Sequence, residues 1–281
     1  MNRRTTIRAL AACGLFGAVG CTGATPPAVT ARWLSLSPQI TETAFALGAS
    51  LVGRSTFCVL PPQAEALPSA GTALTPDLEA IVALGPTGIL VEGASSIDVD
   101  RLAKLAPVEV FPWLTKAQVV DSVQRLGSVL GVEAAGKALA ERITTTLSGE
   151  PAADAPRVLL ALAGADLGRG TLYFIQPGSL HGAALTAAGF HNAVPGPVSG
   201  PPQMSLERLI ELDPHTIVVL SAQALDEAAL ARVTGAFAAI EPLAAAKAGR
   251  IAVLHGPGTL STGPSILDLP ARIAAVVKPG S

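Results

Sequence analysis

The feature that most limits what this chain can fold into is a segment that occurs twice. "DLEAIVALGPTGILV" (Asp77–Val91) and "SLERLIELDPHTIVVL" (Ser205–Leu220) align at a constant offset of 128, from Glu207 minus Glu79. Leu78 and Glu79 match Leu206 and Glu207, Ile81 matches Leu209, Leu84 matches Leu212, and Pro86 matches Pro214. Solenoid repeats are far shorter, roughly 20–50 residues, so this spacing implies two similar lobes. Each copy opens on a good N-cap residue, Asp77 or Ser205, keeps apolar residues at helical spacing, stops at a proline and runs into an apolar stretch. That grammar is helix followed by buried strand.

The same alternation extends over most of the chain. Stretches such as "RWLSLS", "LVGRSTF", "GILVEG" and "VEVFPW" read as strands between helical segments, and after Arg157 so do "RVLLALA", "LYFIQP", "TIVVLS" and "RIAVLHG". Alternation of this kind makes parallel sheets with helices on their faces. The expected fold is therefore α/β: two Rossmann-like lobes with parallel sheets, joined by a long backbone helix. The N-terminal lobe spans 32–114, the connection 115–150 and the C-terminal lobe 156–281. Gly127, Gly131 and Gly136 each cost the connecting helix about 1 kcal/mol against Ala, enough to break it in two. A single crossing of this kind would act as a stiff spine and permit little hinge closure.

The first residues have another purpose. "MNRRTTIR" is basic and lacks acids, and "ALAACGLFGAVG" is apolar but shorter than the roughly 20 residues that span a bilayer. Residues 1–20 thus read as an export signal, Cys21 as a lipidation site, and 21–31 as a spacer; "LAAC" makes Cys13 the competing lipidation site. Processing at Cys21 would leave Cys58 as the single other cysteine, so the exported fold relies on its core and not on a disulfide. With apolar residues at 49% and charged residues at 14%, a large core is available. The net charge of −2 and the lack of basic runs exclude a nucleic-acid or anionic-lipid surface.

Catalytic motifs find no support. "GPGTLSTG" (Gly256–Gly263) has neither P-loop nor GxGxxG spacing, and there is no G-x-S-x-G elbow. All four histidines (His181, His191, His215, His255) lie in the second lobe, so imidazoles from both lobes cannot share a metal, and none is expected. His191 and His215 sit at element junctions and read as structural, whereas His181 opens a helix that can touch a ligand. Glu79 and Glu207 fall in first turns, where the helix dipole favours an acid by about 0.3–1 kcal/mol. Their recurrence at one place in each lobe reads further, as a pair of outward charges.

In the order "RWLSLSPQITETAFALGASLVGRSTF", "PPQAEALPSAG", "LEAIVALGP", then "RVLLAL", "PGSLHGAALTAAGFHNAV", "SLERLIELDPHTIVVL" and "GRIAVL", the chain resembles the substrate-binding proteins of ABC importers for cobalamin and ferric siderophores, the class III periplasmic binding proteins. The resemblance implies a ligand gripped between the lobes, no intrinsic cofactor, and a monomer outside the cytoplasm, lipid-anchored, serving a permease and its ATPase. In that family one exposed glutamate per lobe docks on the permease; these fall on Glu79 and Glu207. The implied ligand is a ferric siderophore, haem or a corrinoid. Cobalamin-binding members carry a tryptophan before each docking helix, where this chain has "GTALTPDLE" and "SGPPQMSLE". The candidate ligand contacts are Ser37, Phe57, Trp113, Tyr173 and His181, with Arg54 and Arg169 as further cleft candidates. An exported α/β enzyme and a metal-ion receptor are the competing readings.

Overall fold

The computed structural model describes residues 31–93, 97–164, 170–196, 198 and 200–277; the expected export signal (1–20), Cys13, Cys21 and Arg169 lie outside these residues. Two four-stranded sheets carry the architecture. The first contains β1 (Trp33–Ser35), β2 (Leu51–Arg54), β3 (Gly88–Glu92) and β4 (Val108–Phe111), in the order β2-β1-β3-β4. Between these strands run α1 (Pro38–Ala46), α2 (Leu78–Leu84) and α3 (Val99–Ala103).

The connection follows as α4 (Lys116–Val129) and α5 (Glu133–Thr146). Beyond it come β5 (Arg157–Leu162), β6 (Thr171–Tyr173), α6 (Leu180–Ala187), β7 (His191–Asn192), β8 (Gln203–Ser205), α7 (Leu206–Leu212) and β9 (Thr216–Ser221). The chain closes with α8 (Glu227–Ala238), α9 (Ala244–Lys247), β10 (Ile251–His255), a 3-10 turn at Pro264–Asp268 and α10 (Leu269–Val276). The second sheet has the order β10-β9-β5-β7, and both sheets are parallel throughout.

Written from the other edge, the second order is β7-β5-β9-β10. Each sheet then reads second, first, third, fourth strand, so the two lobes share one topology. The sequence repeat falls on matching elements: α2 and α7 have 7 residues each, and β3 and β9 begin at Gly88 and Thr216, again 128 apart. Asp77 Oδ1 caps α2 by accepting the Ala80 N–H, and Ser205 Oγ caps α7 by accepting the Arg208 N–H. Both helices end in a left-handed residue before a proline. Gly85 takes φ 53° without strain, whereas Asp213 reaches φ 39°, its Oδ1 accepting from Ala244 N–H.

The connection is not one helix. It breaks at Leu130–Val132, where Gly131 adopts φ 73°, and α5 folds back on α4 as a helical hairpin. Gly127 and Gly136 are the seam of that hairpin: a Cβ built on Gly127 would sit 2.7 Å from Gly136 Cα. These glycines weaken the helices locally, but they let two backbones approach closely.

Nor is the hairpin the single crossing. The chain after β10 returns toward the first lobe, and the 3-10 turn packs on both α1 and α5. One buried cluster joins Ile40, Leu90 and Phe111 of the first lobe, Val123 and Ile143 of the hairpin, and Leu160, Ile266 and Ile273 of the second. Hydrophobic periodicity shows that a segment is buried, not which neighbour buries it, so this return was invisible in sequence. "LYFIQP" also departs from expectation: β6 leaves the main sheet and pairs antiparallel with β8.

Candidate functional site

In a β-α-β unit the helix runs against the strands, so its first turn lies at the strands' carboxyl edge. Open parallel sheets bind ligands along that edge. Here the carboxyl ends of β2, β9 and β10 meet across a cavity of about 360 Å³, within the range of small-molecule sites. The first lobe contributes Pro38, Gln39, Glu42, Phe57, Val59 and Leu60; the second contributes Ala222, Pro257, Gly258, Leu260, Ser261 and Thr262. The lining is mainly apolar, with Gln39, Glu42, Ser261 and Thr262 as its polar side chains. A neighbouring hollow shares Ala222 and Leu260 and extends the cleft past Ser221 and Gln223 to Arg232.

The expected contact residues divide sharply. Phe57, just beyond β2, is 67% exposed and lines the cavity. Its loop is braced by Arg54, whose guanidinium donates to the carbonyls of Ser55, Thr56 and Glu65 instead of reaching across the cleft. Trp113 is core: it is 3% exposed, and its Nε1–H donates to the Thr262 carbonyl at 2.9 Å. It therefore supports the cavity's far wall from behind without facing a ligand.

Ser37 is also buried, and its Oγ accepts the Glu92 N–H at 2.7 Å, tying α1 to the end of β3. Tyr173 is half exposed on β6, paired with Gln203, and lines neither part of the cleft. His181 is buried with Nε2 3.2 Å from the Thr259 carbonyl, and burial pushes its pKa below the usual histidine value. A buried imidazole in that position stays neutral and pins the loop after β10; Arg272 holds the same loop by donating to Thr259 Oγ1 and the His255 carbonyl.

The sequence reading missed Glu42. This carboxylate sits on α1, is 7% exposed, and lines the cavity. It accepts from Ser261 Oγ, from Ser265 N–H at 2.6 Å and from Ser265 Oγ at 2.6 Å. All three donors come from the returning segment, so the acid ties the two lobes together. The available signal was an acid at helical spacing within the otherwise apolar and threonine-rich "ITETAFALGA". Beside it, Gln39 Nε2 donates to Glu92 Oε2, while burial raises the pKa of Glu92.

Glu79 and Glu207 are both exposed in the first turns of α2 and α7. Asp77 N–H bonds to Ala70 O, and Ala70 N–H bonds to Arg54 O, which places the start of α2 beside the carboxyl end of β2. Ser205, opening α7, pairs with Thr171. A hydrogen bond from Ser205 holds the Glu207 carboxyl below the usual carboxylate range. Cys58 is fully buried, and burial pushes its thiol pKa up, so it is inert. Among the described residues no three His, Cys, Asp or Glu side chains group as metal ligands.

The model of the periplasmic binding protein family matches residues 34–257, which hold both sheets but for Trp33, and the cleft lining as far as Pro257. The chain belongs to the periplasmic binding protein family. Its members bind ligands and do not turn them over, and they work outside the cytoplasm. The vitamin B12-binding protein of Salmonella typhimurium is 29% identical over 197 residues, covering 67% of this chain and 71% of its own. A periplasmic haem-binding protein from Pseudomonas aeruginosa superposes with a TM-score of 0.67 at 26% identity, over 89% of this binding protein and 95% of that chain. The periplasmic vitamin B12 binding protein of Vibrio cholerae gives 0.66 at 22% identity, over 87% and 95%. This last likeness speaks to the fold alone.

Proposed function

We propose that this protein is a lipid-anchored receptor that holds a bulky ligand between its lobes and delivers it to an ABC import permease. The observation that carries the reading is the cleft: apolar walls from both lobes meet at the carboxyl edges of two matching sheets, with Phe57 projecting into the gap. The relatives are named for vitamin B12 and haem, and a further fold neighbour at 19% identity for an iron–Desferal chelate. The ligand proposed here is drawn from the same three chemistries: a corrinoid, haem or a ferric siderophore, held as cargo and not as a resident cofactor.

Glu79 and Glu207 are the proposed contacts with the permease, one on each lobe. Two charge-assisted contacts far apart fix orientation better than one, and exposed carboxylates in first turns cost the fold little. Cys21 is the proposed anchor point.

Isothermal titration with a corrinoid, haemin and a ferric hydroxamate tests the reading. One of them should bind with micromolar or tighter affinity. Phe57→Ala should weaken that binding by on the order of tenfold, the worth of a well-placed aromatic contact, and leave thermal stability unchanged because the ring is 67% exposed. Binding that ignores Phe57 would put the ligand elsewhere.

A further inference from the structure

The polar side chains of the cleft offer mainly hydrogen-bond acceptors. A carboxylate offers about four lone-pair sites. Glu42 Oε1 uses two on Ser265, and Oε2 uses one on Ser261, which leaves Oε2 one unused site on a side chain that lines the cavity. Ser261 can answer a ligand only as an acceptor, because its proton goes to Glu42; its oxygen accepts the Gly263 N–H at 2.9 Å and keeps a second lone pair. Gln39 turns its amide nitrogen to the Glu92 carboxylate, since its carbonyl would be repelled there, which leaves its carbonyl as a further acceptor beside the second amide N–H.

Charge points the same way. The donors around Glu42 are two hydroxyls and a backbone N–H, which stabilise the negative charge without cancelling it. Among the described residues lining the cavity there is no Arg, Lys or His, and Arg232 belongs to the neighbouring hollow. At this degree of burial a charge is poorly screened. Gly263 fits the arrangement: a Cβ there would stand 2.7 Å from Glu42 Oε2.

Taking the cleft as the ligand site, as proposed above, we infer that Glu42 sets the class of ligand: one that is neutral or cationic, presents N–H donors at its rim, and carries no carboxylate or catecholate there. A corrinoid edged with primary carboxamides meets these terms, with its flat face against Phe57 and Leu260. Haem meets them poorly. Its propionates add negative charge to a site that already holds the Glu42 carboxylate, and its iron takes an axial His, Cys, Met or Tyr, none of which lines the cavity among the described residues.

The test compares two ligands of one shape. Cyanocobalamin and its derivative with one peripheral carboxamide hydrolysed to a carboxylate are titrated calorimetrically into the wild type and into Glu42→Gln, with haemin as a third probe. The wild type should prefer the amide form by on the order of tenfold or more, from the Coulomb cost of a second anion in a shielded site. Glu42→Gln should bring the two forms to within about twofold of each other, since that charge is gone.

Equal binding of the two corrinoids by the wild type would overturn the inference. So would tighter binding of haemin than of either, or a preference that survives in folded Glu42→Gln. Should the variant fail to fold, the wild-type ratio decides alone. Ligand binding indifferent to Phe57→Ala sinks the cleft itself, whereas Phe57-dependent binding of the acid form as tight as that of the amide form sinks only the role of Glu42. Failure of all three probes to bind overturns the role of Glu42, and failure of the ferric hydroxamate as well overturns the cleft.

Discussion

Gly127→Ala should destabilise this protein, although the same change in an ordinary helix stabilises. Alanine exceeds glycine in a helix interior by about 0.5–1 kcal/mol. At Gly127, however, the new methyl would stand 2.7 Å from Gly136 Cα and 3.1 Å from Gly136 N, against 3.4 Å for ordinary contact. The obstacle is backbone, so α4 and α5 must part by about 0.7 Å along the seam that also holds Val123 and Ile143 in the shared core. Overpacking of that kind costs about 1–3 kcal/mol. Set against the propensity gain, the midpoints leave a net loss of about 1 kcal/mol, or a fall in Tm of about 2–4 °C for a chain of this size.

The control is Gly235→Ala. Gly235 lies in α8 with nothing within 4 Å of a built Cβ, so it should gain about 0.5–1 kcal/mol and raise Tm by about 1–4 °C. Thermal melts followed by far-ultraviolet circular dichroism measure both. If both variants gain stability, the hairpin is not packed backbone to backbone, and the account of the connection is wrong.

Replacing Glu79 and Glu207 with Lys should abolish uptake in whole cells while leaving ligand affinity within about twofold, since neither residue lines the cleft; a collapse of affinity in titration would refute the docking role. His181 carries a pH dependence. Burial holds its folded pKa below that of the unfolded chain, so the unfolded state binds the extra proton. The wild type should therefore be stable above about pH 6.5 and lose stability as pH falls below that value toward the folded pKa; His181→Gln should flatten the slope in denaturant melts. His215 shifts in the same direction but sits nearer the surface, so it contributes less. Cys21→Ser should release the protein into the soluble exported fraction, as fractionation would show; continued membrane attachment would point to Cys13 or an uncleaved signal.

What could be read in the sequence was whatever repeats or alternates along the chain. The pair of α2 and α7, with their caps, first-turn acids and following strands, was legible because local propensity and the 128-residue offset agree. The role of the hairpin glycines was not, since the same residue that weakens one helix permits contact with another. Trp113 and Phe57 looked alike as aromatics after strands, yet one is 3% exposed and the other 67%, a difference decided by the returning segment that offers Trp113 the Thr262 carbonyl. Glu42 stayed hidden for the same reason: its partners lie more than 200 residues away, at Ser261 and Ser265. The two-residue strand β7 is too short to carry any period.

The cluster that unites Ile40 and Leu90 with Ile273 and Val277 also governs the order of events at birth. As the chain is made, its leading half can pack one face of its sheet through Leu34, Ile81 and Leu102, but the face that carries Ile40 and Leu90 lacks its full cover. It must wait for the trailing helix to arrive. Truncating the last dozen residues should thus leave a sticky, protease-sensitive product, and not a shorter but serviceable receptor.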